Sequence, residues 1–298
     1  MSTPAAEAVS AMAAVDDTSE PPDHPARGGE LAYRHRLPTR IWHWANAITV
    51  FVMLMSGLMI FNAHPSLYWG KYGANYDTPW LHIGSTERSG FLQVGGARID
   101  TTGVLGRWTD KQGRLQRRAF PHWATIPSSY NLAAGRRWHL AFAWILAIGL
   151  TGYALGSFAN RHVQRDLAPT RSELSPRHIW HDIKEHALLR FPTGEAALRY
   201  NILQKLSYVG VIFVLIPLMV LSGLGMSPGV DAGWPWIVDL LGGRQSARSI
   251  HFITAMLLVL FITVHLLMVL LAGPFNEIRS MITGYFRLPA DRQGKDAQ

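Results

Sequence analysis

Hydrophobic and polar positions divide this chain into four long apolar runs with polar connections between them. The runs cover about 41–61, 138–158, 203–226 and 250–272. A helix needs roughly 20 predominantly apolar residues to cross a hydrocarbon layer, and each run reaches that length. The pattern predicts an all-α membrane protein built as a four-helix transmembrane bundle. Pro38 is placed to open the first span, and Pro217 is predicted to kink the third, which neighbouring helices accommodate. In the second span Gly149, Gly152 and Gly156 recur at helical spacing. That spacing suits close helix packing through small residues, and it equally allows room for a flat cofactor.

The connections are unequal. Residues 62–136 form an insertion too long for an ordinary loop. Within it FLQVGGARID reads as two short strands about a Gly-Gly turn, and RWTDKQGRLQRR as a second hairpin around Lys111–Gly113. This predicts a small β-rich cap at the membrane surface. In the connection 159–202, SPRHIWHDIKEHALLRF reads as an amphipathic helix with Ser175 as N-cap and Pro176 at N1. Ile179, Trp180, Ile183 and Leu188 would lie in the interface. Residues 1–32 lack the basic and apolar regions of a signal peptide and read as a disordered tail. The four-span domain then covers 33–290, and 291–298 form a tail. No internal repeat is evident at this level.

Charge orients the bundle. Seven Lys or Arg lie between 159 and 202, whereas the third connection has only Arg244 and Arg248. By the positive-inside rule both termini and 159–202 are cytoplasmic. The insertion is also basic, but it exceeds the length to which that rule applies, so it is expected in the periplasm. The formal charge of +8 is explained by loops beside apolar spans, so no nucleic-acid partner is expected. Eleven Trp and nine Tyr fit interfacial belts. The chain has no cysteine. That excludes an internal disulfide, an iron–sulfur cluster ligated by this chain and covalent haem attachment through C-x-x-C-H.

The candidate chemistry lies in histidines inside the spans. Ionisable residues there are costly and mark functional sites by default. His251 and His265 stand fourteen residues apart on the last span. At about 100° and about 1.5 Å per residue they leave roughly the same face about 21 Å apart, one near each side of the membrane. His43, in IWHW, lies at the inner end of the first span, and His139 at the outer end of the second. Matched by depth, His43 pairs with His265 and His139 with His251. Such pairs suit bis-imidazole ligation of two stacked haems, which fills both axial positions and directs the iron to electron transfer. The plainer reading of each histidine is a hydrogen bond to a neighbouring helix. Arg40, Arg136, Arg137 and Arg248 flank these positions and could pair with haem propionates or anchor at headgroups. His178, His181 and His186 on the amphipathic helix fit no strong metal motif.

These features resemble the bacterial cytochrome b561-type subunits of nickel–iron hydrogenase, formate dehydrogenase (its gamma subunit) and thiosulfate reductase. The resemblance rests on His43 in IWHW, His139 opening the second span and the His251–His265 spacing. RYNILQK (199–205) is also similar to a signature of formate dehydrogenase gamma subunits. The match covers the four spans, about half the chain, and the 62–136 insertion departs from it. The resemblance implies two haems b and a quinone, ubiquinone or menaquinone, beside the inner haem, with Asn201 as the candidate quinone contact. It implies a multi-pass subunit of the bacterial inner membrane that carries electrons between the quinone pool and a periplasmic redox partner, closest to the molybdopterin oxidoreductases. The chain would then be an electron-transfer subunit rather than the catalytic one. Two other readings stay open: a free-standing quinone or superoxide oxidoreductase, and a transporter whose histidines relay protons.

Overall fold

The computed structural model of the chain describes residues 29–74, 76–161, 163, 168–188 and 201–288. Most of the expected tail 1–32 and all of 291–298 lie outside these residues. Leu31 and Ala32 are described, and they belong to a strand, β1 (Leu31–Tyr33). Four helices are long and apolar enough to cross a membrane: α1 (Leu37–Phe61), α2 (Leu132–Ala159), α4 (Ile202–Gly225) and α7 (Arg244–Ala272). Between α2 and α4 lies α3 (Pro176–Ala187). The stretch between α4 and α7, expected as a loop, holds the short helices α5 (Pro228–Gly233) and α6 (Pro235–Leu240). After α7 come α8 (Pro274–Thr283) and β8 (Tyr285–Arg287).

Each span begins where local chemistry lets it. Pro38 sits in the first turn of α1, where its missing N–H costs nothing. Asn131 caps α2, its side-chain oxygen accepting from the Ala134 N–H at 2.9 Å. Both helices start several residues earlier than their apolar runs, because a capped first turn can be polar. In α4 the backbone widens into a π turn over Val211–Leu215. Pro217 cannot donate to a carbonyl one turn back and its ring crowds that carbonyl. The wider turn relieves both, so the expected kink takes the form of a local bulge.

The bundle is two packed helix pairs, α1 with α2 and α4 with α7. Met53, Leu146 and Ile216 fill the middle between the pairs, with Phe142, Leu150 and Leu258 around them. The outward faces stay apolar and exposed, as at Phe51, Trp144, Ile148, Val214, Leu260 and Leu267. That surface suits a hydrocarbon solvent.

The insertion folds as a β-rich cap. Strands β2 (Ser66–Leu67), β3 (Leu81–Ser85), β4 (Gly90–Val94) and β5 (Ala97–Asp100) form one antiparallel sheet in that order. The β4–β5 hairpin turns at Gly95–Gly96, with Gly95 at φ 55°, a conformation that favours glycine. The second hairpin pairs β6 (Trp108–Thr109) with β7 (Leu115–Gln116). The cap core of Leu67, Leu81, Ile83 and Ala119 runs into the bundle through Phe61 and Phe252, whose rings stack 5.0 Å apart. Polar ties hold the cap to the first turns of α7. The Gly70 N–H donates to Ser246 Oγ at 2.7 Å, and Trp80 Nε1–H to Ser249 Oγ at 2.9 Å. The Arg248 guanidinium donates to the carbonyls of Ser66 and His64. Gly243, at φ 108°, lies so close to the Gly70 backbone that a Cβ would meet its carbonyl oxygen at 2.6 Å.

At the opposite end two short strands from either side of the bundle sequence form a clasp. Strand β1 pairs with β8 antiparallel. Arg34 bridges to Glu277 at 3.2 Å and lies over the Phe286 ring. Arg40 donates to the Ile282 carbonyl, and Trp44 Nε1–H to the Met281 carbonyl at 3.1 Å. Lys205, at the start of α4, bridges to Glu173 at 2.8 Å on this side. That contact and a hydrogen bond from Thr170 hold the Glu173 carboxyl down to about 2.

Candidate functional site

The four histidines singled out by spacing and depth come together in two facing pairs. At the clasp end, the rings of His43 on α1 and His265 on α7 are 6.3 Å apart between centres, tilted by 59°. At the cap end, His139 on α2 and His251 on α7 are 6.1 Å apart at 65°. Imidazoles on opposite axial positions of one metal, with bonds of about 2 Å each, have ring centres about 6 Å apart. Each pair therefore has the spacing to clamp one metal ion. Fourteen residues of α7 separate the two levels, about 21 Å along its axis.

The cap-end pair is held in one tautomer by two serines. Ser56 is fully buried on α1. Its hydroxyl donates to the Val52 carbonyl at 2.7 Å, so its oxygen is left to accept from His139 Nδ1–H at 3.1 Å. The same ring nitrogen also faces the Met53 carbonyl at 3.1 Å. On α4, Ser222 repeats the arrangement. It is fully buried, donates to the Leu218 carbonyl at 2.6 Å and accepts from His251 Nδ1–H at 3.0 Å. Because the Met53 and Met219 carbonyls beside these rings can only accept, the proton of each ring sits on Nδ1 and the lone pair on Nε2, the nitrogen left for a metal. The next residue is glycine in both helices. A Cβ on Gly57 would lie 3.3 Å from His139 Cε1, and one on Gly223 3.5 Å from His251 Cε1.

The clasp-end pair is held differently. His43 packs edge-on against Trp44, and His265 stacks on Phe261. Among the described residues neither His43 Nδ1 nor Asn46 Oδ1, both buried, has a hydrogen-bond partner. Of the flanking arginines, Arg40 and Arg248 are engaged by the clasp and the cap carbonyls, while Arg136 and Arg137 are exposed. Gly149 admits the Trp42 ring, so that glycine serves helix packing, whereas Gly152 and Gly156 face open space.

Asn201 caps α4. Its side chain accepts from the Gln204 N–H at 2.9 Å, and Gln204 Oε1 accepts from the Asn201 N–H at 3.3 Å, a closed capping box. Lys205, from the same RYNILQK stretch, holds Glu173. His178 and His181 are exposed on α3, and the described residues contain no metal-binding cluster of histidine and carboxylate groups. The side chain of His186 lies outside the described set.

The spans hide a repeat that apolar patterning does not reveal. Met53-x-x-Ser56-Gly57-Leu58 on α1 matches Met219-x-x-Ser222-Gly223-Leu224 on α4. His139 is the eighth residue of α2 and His251 the eighth of α7. Arg136 and Arg248 each stand three residues before the histidine. Gly135 abuts Met59, and its counterpart Ala247 abuts Gly225, the counterpart of Met59. The two helix pairs thus carry the same residues and contacts at corresponding positions. The clasp-end histidines break the relation: His265 corresponds to Tyr153, and His43 to Val209.

Comparison with known proteins adds the ancestry. The family model for prokaryotic cytochrome b561 matches residues 34–284. The chain belongs to this family. Prokaryotic cytochromes b561 are membrane electron carriers that bind haem b, and this member is a multi-pass b-type cytochrome. It is 27% identical over 247 residues to YedZ1 of Azospira oryzae, assigned as a protein-methionine-sulfoxide reductase subunit. That match covers 83% of this chain and 93% of the relative. It is 22% identical to a protein of Azotobacter vinelandii named as a Ni/Fe-hydrogenase B-type cytochrome subunit, over 87% of this chain and 90% of the relative. A protein of the same description from Cupriavidus necator is 21% identical, with 86% and 87% covered. No solved structure matches significantly.

Proposed function

We propose that this b561 cytochrome binds two haems b and carries electrons across the bacterial inner membrane between the quinone pool and a periplasmic redox subunit. His139 and His251 would hold the haem nearer the cap, and His43 and His265 the other. The observation that carries this reading is the pair of facing imidazole couples, each at the separation a single metal requires. The haem would supply a reversible one-electron couple. The four histidines would hold it and leave no place for a small ligand. Ser56 and Ser222 keep the cap-end lone pairs aimed at the iron, and Phe142, Leu150 and Leu258 keep water from between the two levels.

The cap is the proposed docking face, on the periplasmic side, with both termini cytoplasmic. Relatives named as hydrogenase and methionine-sulfoxide reductase subunits support a redox partner. A molybdopterin oxidoreductase is the partner class we favour. The quinone would meet the chain at the clasp end, with Asn201 as its contact. The test is a pyridine haemochrome assay on the purified protein. Two haems per chain are expected, all extractable by acid acetone because no cysteine can form a thioether. One haem or none would overturn the four-ligand assignment.

A further inference from the structure

We propose that Ser56 and Ser222 are positioning residues that set the ring orientation and the reduction potential of the cap-end haem alone. The inference rests on the two-haem reading above and adds to it a division of labour between the two sites.

A serine hydroxyl has a single hydrogen, and in both serines it is given to a carbonyl one turn back on the same helix, Val52 for Ser56 and Leu218 for Ser222. What each presents to the neighbouring histidine is therefore a lone pair. Each Nδ1 also meets a backbone carbonyl, Met53 for His139 and Met219 for His251, which can only accept, so the ring donates from Nδ1 and Nε2 is bare. A serine in a helix interior commonly bonds back in this way with no further consequence. Here it is fully buried, it touches a histidine on a different helix, and the arrangement occurs twice, at corresponding positions of the two helix pairs. Two independent serines placed for packing alone would not each find the Nδ1 of a facing pair.

The chemical effect has a sign. A hydrogen bond from Nδ1–H to an oxygen makes the imidazole a stronger electron donor through Nε2. A stronger donor favours the ferric state and lowers the potential. Each cap-end ring has such an acceptor, whereas His43 Nδ1 has none among the described residues. The bond also fixes the rotation of each ring about its own side chain, and the two rings are held 65° apart. The relative angle of two axial imidazoles governs the low-spin ferric resonance, so orientation can be read apart from potential.

The experiment uses the full chain with haem bound, comparing wild type with Ser56→Ala, Ser222→Ala and the double variant. Redox titration followed in the visible spectrum gives two midpoints, and low-temperature electron paramagnetic resonance gives the ring geometry. The expected result is an upward shift of one midpoint, larger in the double variant, with the other unmoved. The resonance of that same haem should change. Ser56→Thr, which keeps the hydroxyl, should restore both signals. If a Ser→Ala variant fails to assemble, Ser→Cys replaces it, since a thiol is close in size but a weak acceptor. Two retained haems with unmoved midpoints and resonances would overturn the proposal and leave the two-haem reading standing. Shifts of equal size at both haems would also overturn it. A wild type with fewer than two haems would instead sink the reading on which it rests.

Discussion

The ring nitrogen Nδ1 of His43 is buried and, among the described residues, unpartnered. His43 is nevertheless the partner that depth selects for His265. Replacing either residue by Ala should remove the same haem, and His139→Ala or His251→Ala the other. Redox titration that finds His43→Ala and His139→Ala losing one common haem would show the pairing to be wrong. A neighbouring histidine bears on stability. His35 is buried in the clasp, and its own backbone N–H and that of Arg34 donate to the Gly284 carbonyl. Burial first, then the charges of Arg34, His43 and Arg40, push His35 from 6.5 down to about 4. The unfolded chain thus takes up a proton on this ring that the folded clasp refuses. The contribution is full above pH 6.5 and is lost as pH falls toward 4. The protection factor of the Arg34 amide, its exchange corrected for the intrinsic pH dependence, should fall across that window, and His35→Phe should flatten the dependence. The four paired histidines were legible in the sequence because charge-capable residues are rare in apolar runs. Ser56 and Ser222 were not, because a buried serine in a span reads as a small packing residue.

Helix α4 carries two of the more local lessons. Its capping box unites Asn201 with Gln204, so the RYNILQK stretch has a folding role whatever else it does. Asn201→Ala should cost about 1 kcal/mol of stability, seen as a lower melting temperature with both haems retained. Asn201→Ser keeps a capping oxygen and should restore the melting temperature. If the serine variant still loses quinol reactivity, the amide also serves the quinone; if it reacts normally, capping is its whole task. The hairpins about Gly95–Gly96 and Lys111–Gly113 could be read ahead of the structure because turn residues act locally. The β1–β8 pair could not. Each strand has three residues, and the partners lie some 250 positions apart in the chain, beyond any local signal. The start of α7 was also hidden, since Gln245, Ser246, Arg248 and Ser249 are polar where they hold the cap.

Cap and bundle share one core through Phe61 and Phe252, so the cap is not a separable domain. The deletion that tests docking should therefore spare its base. Replacing residues 86–118 by a short flexible linker removes β4 to β7 and leaves Phe61, Leu67, Leu81 and Trp80 against α7. Both haems should stay bound and reducible by dithionite, while electron exchange with the partner is lost. A partner that still co-purifies and exchanges electrons would place docking elsewhere, with the α5–α6 segment the next candidate. The bundle architecture followed from four apolar runs, but the way the cap is tied to α7 through Ser246, Arg248 and Ser249 had no signature beyond small and basic residues.

The repeat shared by the two helix pairs also bears on how such a chain could arise. A hairpin of two helices bearing M-x-x-S-G-L and one histidine could not bind haem alone, since it supplies only one axial ligand. Two copies would complete the cap-end site between them, with the iron on their shared axis, as a symmetric dimer does. Duplication and fusion of such a hairpin would give this order of spans, with the cap inserted in one half only. His43 and His265 have Val209 and Tyr153 at the equivalent positions, so the repeat by itself would furnish the cap-end level and not the clasp-end one.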